Sequence, residues 1–326
     1  MVVKLGCSYS TVSAEELMAE VIPEYVIDNP LECIFWERGA NDTYQVRCAD
    51  ACYFLRVYRC GAFTREANEF EAQVLSYLHR KDFPVAYPIA RVSGGYLTEV
   101  SAPEGPRIVL LTAAAEGAPP DYDSMENCRL VGESVAQMHL SSDGFETNFT
   151  RSRLDLTGLL KNSMVYIRDY MAHRPEALSS IEKIAQDTCA VVKAVPEESL
   201  NAGICHGDLH GGNMHIHEGK VTHFDFEECA FGYRVYDLAT FKWGGACVGS
   251  GKRGVERWLA FLEGYESVRE LSESEHTVVD AFVIMRELAE LAYGIRHIRD
   301  FGHNGIMATD IDYVCYRLDK LISAHP

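Results

Sequence analysis

The densest group of chemically capable residues in this chain is His206-Gly-Asp-Leu-His-Gly-Gly-Asn213, followed by His223-Phe-Asp225-Phe-Glu227. Asp208 and Asn213 stand five residues apart in a glycine-containing loop, and Asp225 ends a strand one hairpin later. Metal-assisted phosphoryl transfer needs this combination. One carboxylate accepts or orients a hydroxyl proton, while an amide oxygen and a second carboxylate hold magnesium against phosphates. The glycines let the backbone approach closely. A zinc site is the competing chemistry, since histidines occur at 206, 210, 215, 217 and 223. However, 215 and 217 alternate along a strand and 223 lies beyond a turn, so the spacing implies no common ligand face.

The elements that must position these residues fall into two textures. Ser13-Ala-Glu-Glu16 reads as a capping box opening a short helix. From Leu31 the runs LECIFWER, TYQVR and ACYFLRVYR, broken by turn-rich GAND and CAD, predict an antiparallel meander. Thr64 caps a helix with Phe70, Val74, Tyr77 and Leu78 on one face, and GGYLTEV and RIVLLTA add two strands. The segment AAAEGAPPDYDS marks a boundary, placing a β-rich lobe at 1–113 and a larger helical lobe at 114–326. In the second lobe Ser124–Leu140, Pro175–Val195, Val255–Ser267 and a stretch from Ser272 to about Arg299 read as helices. Residues 203–226 read strand, loop, strand, turn, strand.

HGDLHGGN, then FDFE, then Tyr236-Asp237-Leu238-Ala239 resemble the catalytic and metal loops of the aminoglycoside phosphotransferase and choline kinase superfamily. The resemblance implies an α+β, bilobal, protein-kinase-like fold: a small β-rich nucleotide-binding N-lobe, a larger helical catalytic and acceptor-binding C-lobe, and a cleft between them. It makes Asp208 the catalytic base and Asn213 and Asp225 magnesium ligands. Asp237 becomes an acid bracing the loop and His206 a loop-shaping residue. Glu37–Thr43, with Gly39 and Asn41, sits where the family's nucleotide loop belongs. Arg56 stands at the family's usual lysine position, Glu71 matches its helix glutamate with Glu69 as competitor, and Leu111, Thr112 and Ala113 fall where an adenine edge meets the chain. Arginine departs from the lysine pattern but stays charged and grips phosphate with two nitrogens. The late run RELAELAYGIRHIRDF resembles homoserine-kinase-like and stress-response-kinase-like members.

Function classes narrow further on charge. Lys and Arg number 30 against 48 Asp and Glu, a net charge of −18, which disfavours nucleic acid and anionic membranes. No apolar run reaches the roughly 20 residues that span a bilayer. Eleven scattered cysteines without an export signal read as thiols of a reducing cytoplasm. The resemblance makes ATP with magnesium the expected cofactor pair, GTP remaining open, and a small-molecule hydroxyl acceptor the expected partner. Glu227, Glu287 and Glu290 would suit an amine on that acceptor: an aminoglycoside, an amino alcohol or a homoserine-like amino acid. A protein serine or threonine acceptor and a nucleotide-binding pseudokinase are the alternatives. The run GDLHG also fits binuclear metallophosphoesterases, but their flanking D-x-H and G-N-H-[DE] motifs are missing at suitable positions.

Overall fold

A computed structural model describes residues 5–244, 247, 251–298 and 311–324. They form two compact units. The first takes the chain up to Gly117 together with Gly144–Arg151 and Thr222–Glu227; the second takes Ala118–Asp143, Ser152–Val221 and the chain from Glu228. The sequence reading divides the chain once, at 113/114, whereas the first unit also recruits two later segments. Ring packing explains the first and backbone hydrogen bonds the second. Phe145 meets Phe70 and Tyr77 edge-on, with centroids 5.8 and 5.4 Å away. His223 donates its N–H to the Pro84 carbonyl and accepts from Ala86 through its own.

The first unit is a five-stranded antiparallel sheet of β1 (Pro30–Arg38), β2 (Asp42–Cys48), β3 (Cys52–Val57), β4 (Leu97–Ala102) and β5 (Gly105–Ala113). Its order is β1-β2-β3-β5-β4. The first three strands form the expected meander, but β5 enters beside β3 and leaves β4 at the edge. Composition explains the placement. In β5 Val109, Leu110 and Leu111 are buried in succession, as suits an interior strand, while β4 keeps Glu99 and Ser101 exposed. Helix α1 (Ala14–Glu16) starts at Ser13 and α2 (Arg65–Arg80) at Thr64, each hydroxyl accepting a first-turn N–H. Leu17, Ile22 and Tyr25 join Tyr44, Val46, Leu55, Val57 and Val109 in the core.

Several polar groups lie inside this unit, Arg107 and Asp42 among them. Arg107 of β5 is 1% exposed. It donates to the carbonyls of Tyr58, Val57 and Ser10 at 2.8, 2.8 and 2.9 Å and pairs with Asp42 at 3.1 Å. Asp42 also accepts from Arg38 at 3.1 Å and from the Tyr9 hydroxyl. A buried guanidinium persists only when its donors are met in this way, and here it ties residues 9–10 to the sheet.

In the second unit α3 (Met125–Ser141) packs on α7 (Gly251–Glu266). Two glycines permit the contact: a Cβ on Gly132 would lie 2.0 Å from the Phe261 carbonyl oxygen, and one on Gly264 2.0 Å from that of Arg129. Helix α8 (Glu273–Arg296) opens on the Ser272/Glu275 capping box. Against it pack α4 (Asn162–Met171), α5 (Pro175–Lys193), α6 (Val235–Trp243) and α9 (Ile311–Ala324). Its expected end near Arg299 lies outside the described residues. Strand β6 (Ala202–Cys205) enters the motif loop, β7 (Met214–His217) and β8 (Lys220–His223) form the hairpin after it, and β9 (Ala230–Tyr233) pairs back with β6. Among the described residues no helix is long and apolar enough to cross a membrane.

Removing either member of the Arg107–Asp42 pair leaves the other buried with fewer partners, at a cost of up to about 3–5 kcal/mol. Arg107→Gln is expected to lower the unfolding free energy, measured by urea titration, by up to that amount, with Asp42→Asn acting in the same direction. A loss below about 1 kcal/mol, the range of an exposed ion pair, would contradict the assignment.

Candidate functional site

The sequence-predicted residues form two sets, one in each unit. In the first, the adjacent strands β2 and β3 bring the loop 38–42 beside Arg56. Arg56 Nη1 lies 3.2 Å from Glu71 on α2, and Nη2 lies 2.6 Å from Asp225; Glu227 is 3.8 Å from Nη1. Burial disfavours the charged guanidinium, but Asp225, Glu71 and Glu227 outweigh it and hold Arg56 firmly protonated. Burial likewise raises the Glu71 pKa, opposed first by Arg56, and the Tyr58 hydroxyl donates to Glu71 at 2.7 Å. The competitor Glu69 turns to Arg65 instead, 3.7 Å away.

Asn41 is 5% exposed, and its side chain is engaged within the unit. Its carbonyl oxygen accepts the Arg59 N–H at 2.8 Å and its amide donates to Glu227. Gly39 closes the same turn, donating to the Asn41 carbonyl at 3.0 Å. At the end of β5 the Leu111 carbonyl accepts from Ile89 at 2.8 Å, and the Ala113 N–H donates to Tyr87 at 2.9 Å. The Thr112 hydroxyl donates to the Phe54 carbonyl at 3.4 Å. Asp225 has φ +64°, left-handed for a residue with a Cβ. That conformation costs on the order of 1–3 kcal/mol and collects at functional sites.

In the second unit the loop 206–213 is held by a buried acid. Asp237 of α6 is fully buried and accepts the N–H groups of His206 and Gly207 at 2.7 and 2.9 Å. His139 of α3 joins it, with Nε2 3.0 Å from Asp237 and Nδ1 2.9 Å from the Tyr265 hydroxyl. Burial lowers the His139 pKa and raises that of Tyr265. A neutral imidazole therefore donates from Nε2 and accepts at Nδ1. Gly207 has φ +87°, and a Cβ there would lie 2.3 Å from the Glu228 carbonyl oxygen, so only glycine fits the turn.

Asp208 follows, surrounded by donors. Arg286 Nη2 lies 2.5 Å from Oδ1, and Asn213 Nδ2 lies 3.1 Å from Oδ2 and 2.8 Å from the Asp208 carbonyl oxygen. His210 Nε2 is 3.5 Å from Oδ2, while its Nδ1 accepts the Gly212 N–H at 3.0 Å. Burial pushes the Asp208 pKa up, but Arg286 first, then His210, His206 and the Asn213 amide, outweigh it and hold the carboxyl ionised. His206 is fully buried, its Nδ1 accepting the Asp208 N–H at 3.3 Å.

Glu287 and Glu290 of α8 are both paired. Glu287 accepts from Trp243 Nε1 at 2.6 Å and lies 2.9 Å from Arg317; Glu290 lies 2.8 Å from Arg286. The Glu290 side chain is 30% exposed against 6% for Glu287, so Glu290 is the acid that a ligand could reach.

Donor chemistry at Asn213 and Asp225 suits a hard cation. Both amide hydrogen bonds of Asn213 go to Asp208, leaving its carbonyl oxygen as the donor for other partners. Among the described residues Asp225 Oδ1 is buried without an aligned hydrogen bond, and it forms an ion pair with Arg56. Among the described residues no group of three or more His, Cys, Asp or Glu could hold a metal by itself.

The sequence reading missed Arg286, Tyr236 and Trp243 as site residues. Arg286 begins the run RELAELAYGIRHIRDF, and its signal was an arginine set directly after the apolar helix run AFVIM.

Known proteins resemble the chain along most of its length. A model described as the phosphotransferase enzyme family matches residues 34–271. An uncharacterized protein of Synechocystis sp. is 33% identical over 275 residues, covering 84% of this chain and 75% of its own. Homoserine kinase of Methylobacillus glycogenes is 25% identical over 293 residues, 87% of this chain and 86% of that enzyme. The solved amicoumacin kinase hAmiN, in complex with AMP-PNP, Ca2+ and Ami, superposes with a TM-score of 0.77 at 15% identity, covering 96% of this chain and 95% of its own.

The His139 pKa lies below 6.5 in the folded chain. Unfolded His139 therefore takes up a proton that the native residue refuses, and stability is full above about pH 6.5 and falls as pH drops from there toward the native pKa. Urea titrations across that range are expected to show this acid limb flattened in His139→Gln. An equally steep limb in the variant would remove the role from His139.

Proposed function

This chain belongs to the phosphotransferase enzyme family, which makes it a small-molecule kinase with an alcohol group as acceptor, and we propose that it moves the γ-phosphate of ATP, with magnesium, onto an amine-bearing hydroxyl compound. The observation that carries this reading is Asp208: a half-buried carboxylate 2.5 Å from Arg286, which holds it ionised, with the Asn213 amide directly against it.

In the proposed mechanism Asp208 Oδ2 accepts the hydrogen bond of the acceptor hydroxyl and orients its oxygen for in-line attack. A carboxylate with a lowered pKa is a weak base. That suffices, because a loose phosphoryl-transfer transition state asks more for orientation than for early proton removal. Magnesium, when bound with the nucleotide, supplies neutralising charge to the phosphates, and the Asn213 carbonyl oxygen and Asp225 carboxylate are the groups that would hold it. Arg56 binds phosphate oxygens, and Glu71 and Tyr58 keep its guanidinium aimed. For adenine the proposed contact is apolar packing at Leu111–Ala113, since the Leu111 carbonyl and Ala113 N–H are already bonded. Asn41 and Gly39 shape the nucleotide loop.

The homoserine kinase relative supports an amine-bearing acceptor, and so does Glu290. Glu287 supports it less directly, since Trp243 and Arg317 already satisfy that carboxylate. Glu227 would serve the nucleotide side through Asn41 and Arg56. A reducing cytoplasm is the proposed setting, with all eleven cysteines free thiols.

Asp208→Asn is expected to keep nucleotide affinity and lose roughly 10²–10⁴-fold in turnover. A folded variant with near-normal turnover would end the assignment. The acceptor class is checked by following ATP consumption over hydroxyl compounds with and without an amine: a neutral sugar as best acceptor would exclude the amine reading and leave the phosphotransferase intact.

Arg56→Lys is expected to retain most nucleotide affinity and Arg56→Ala to weaken it, measured by calorimetry with a non-hydrolysable ATP analogue. Unchanged affinity in Arg56→Ala would make Arg56 purely structural.

A further inference from the structure

Arg286 lies midway along α8 and is 6% exposed. Nη2 reaches Asp208 Oδ1 at 2.5 Å and Glu290 Oε1 at 2.8 Å. Nη1 reaches the Gly207 carbonyl oxygen at 3.1 Å and the Tyr236 hydroxyl at 3.3 Å. The guanidinium lies 5.0 Å from the centre of the Trp243 ring, and Trp243 is itself fixed by its bond to Glu287.

Such an arrangement is more than charge neutralisation. A point charge such as an ammonium would satisfy Asp208 from many directions, whereas a planar fork with both ends occupied admits one orientation. The fork holds two consecutive residues of the motif loop: Gly207 by its backbone and Asp208 by one carboxylate oxygen. It takes Oδ1 and leaves Oδ2 on the side of Asn213.

We propose that Arg286 is a positioning residue for phosphoryl transfer, clamping Gly207 and Asp208 so that Oδ2 alone is presented to the acceptor hydroxyl. The proposal rests on Asp208 being the group that orients that hydroxyl. Arg286 makes no contact with the acceptor; it acts through Asp208.

Lysine at 286 keeps the charge but cannot span Gly207 and Asp208 together. Arg286→Lys is therefore expected to lower kcat about 10–100-fold, the scale set by misplacing a reacting group by about an ångström. The acceptor KM and nucleotide affinity should stay within about twofold and the melting temperature near that of the parent. Arg286→Met should fall further. Should that variant fail to fold, Arg286→Lys carries the test alone. Arg286→Lys added to Asp208→Asn should cost little more than Asp208→Asn by itself, because both remove the same act of orientation.

Two results would overturn the proposal: parental kcat in Arg286→Lys, or a raised acceptor KM with kcat retained, which would make Arg286 a direct acceptor contact. Asp208→Asn measured alongside separates the two levels. If Asp208→Asn stays active, the Asp208 reading falls and this proposal with it. If Asp208→Asn is inactive while Arg286→Lys turns over normally, only the role of Arg286 is lost.

Discussion

The second unit is organised around one buried carboxylate. Asp237 has no solvent contact, and its two oxygens take the N–H groups of His206 and Gly207 together with His139 Nε2. A charge so buried is tolerable only when its acceptor positions are filled, so the requirement is mutual. The loop can hold its tight turn because the acid is there, and the acid can be buried because the loop supplies donors. Through His139 the arrangement passes to Tyr265, and from Tyr265 to Arg269 at 3.1 Å. Helices α3, α6 and α7 are thus joined to the motif loop by polar bonds as well as apolar packing.

Arginine answers the same problem elsewhere. Arg56, Arg107 and Arg286 are each set among carboxylates, carbonyls or hydroxyls that use both terminal guanidinium nitrogens. In a chain with 48 acidic residues, interior carboxylates need such partners to stay ionised without leaving unpaired charge inside. The result is a set of donors whose geometry is fixed by the chain's own acceptors.

Local signals made much of this legible in the sequence. Ser13 and Thr64 each accept a first-turn N–H as their positions predict, and Ser272 does the same at the start of α8. The strands of the first unit follow apolar runs between turns, and the motif spacing carried the family. What stayed hidden was long-range. Nothing local in GPRIVLLTA says that it will sit inside the sheet with LTEVSA at the edge. Strand β9 is four residues long and pairs with β6 some 25 residues earlier, and α4 and α6 lie where the periodicity was not read as helix. Arg286 was passed over because its partners lie 50 to 79 residues away along the chain, except for Glu290 one turn on. No window of the sequence contains such a contact.

The way the first unit is assembled has a consequence for biosynthesis. Its strands are complete by residue 113, yet Thr222–Glu227 belongs to it, and this segment brings Asp225 and Glu227 to Arg56. A ribosome must make more than a hundred further residues before those acids emerge. Until then the Arg56 guanidinium has Glu71 without the two later carboxylates, and the first unit lacks its last strand-like segment. Closing so long a loop carries an entropic cost that grows only slowly with its length. Sequence distance therefore delays completion of this unit far more than it weakens the finished one. The charges around Arg56 can be assembled only after about half of the second unit has been made.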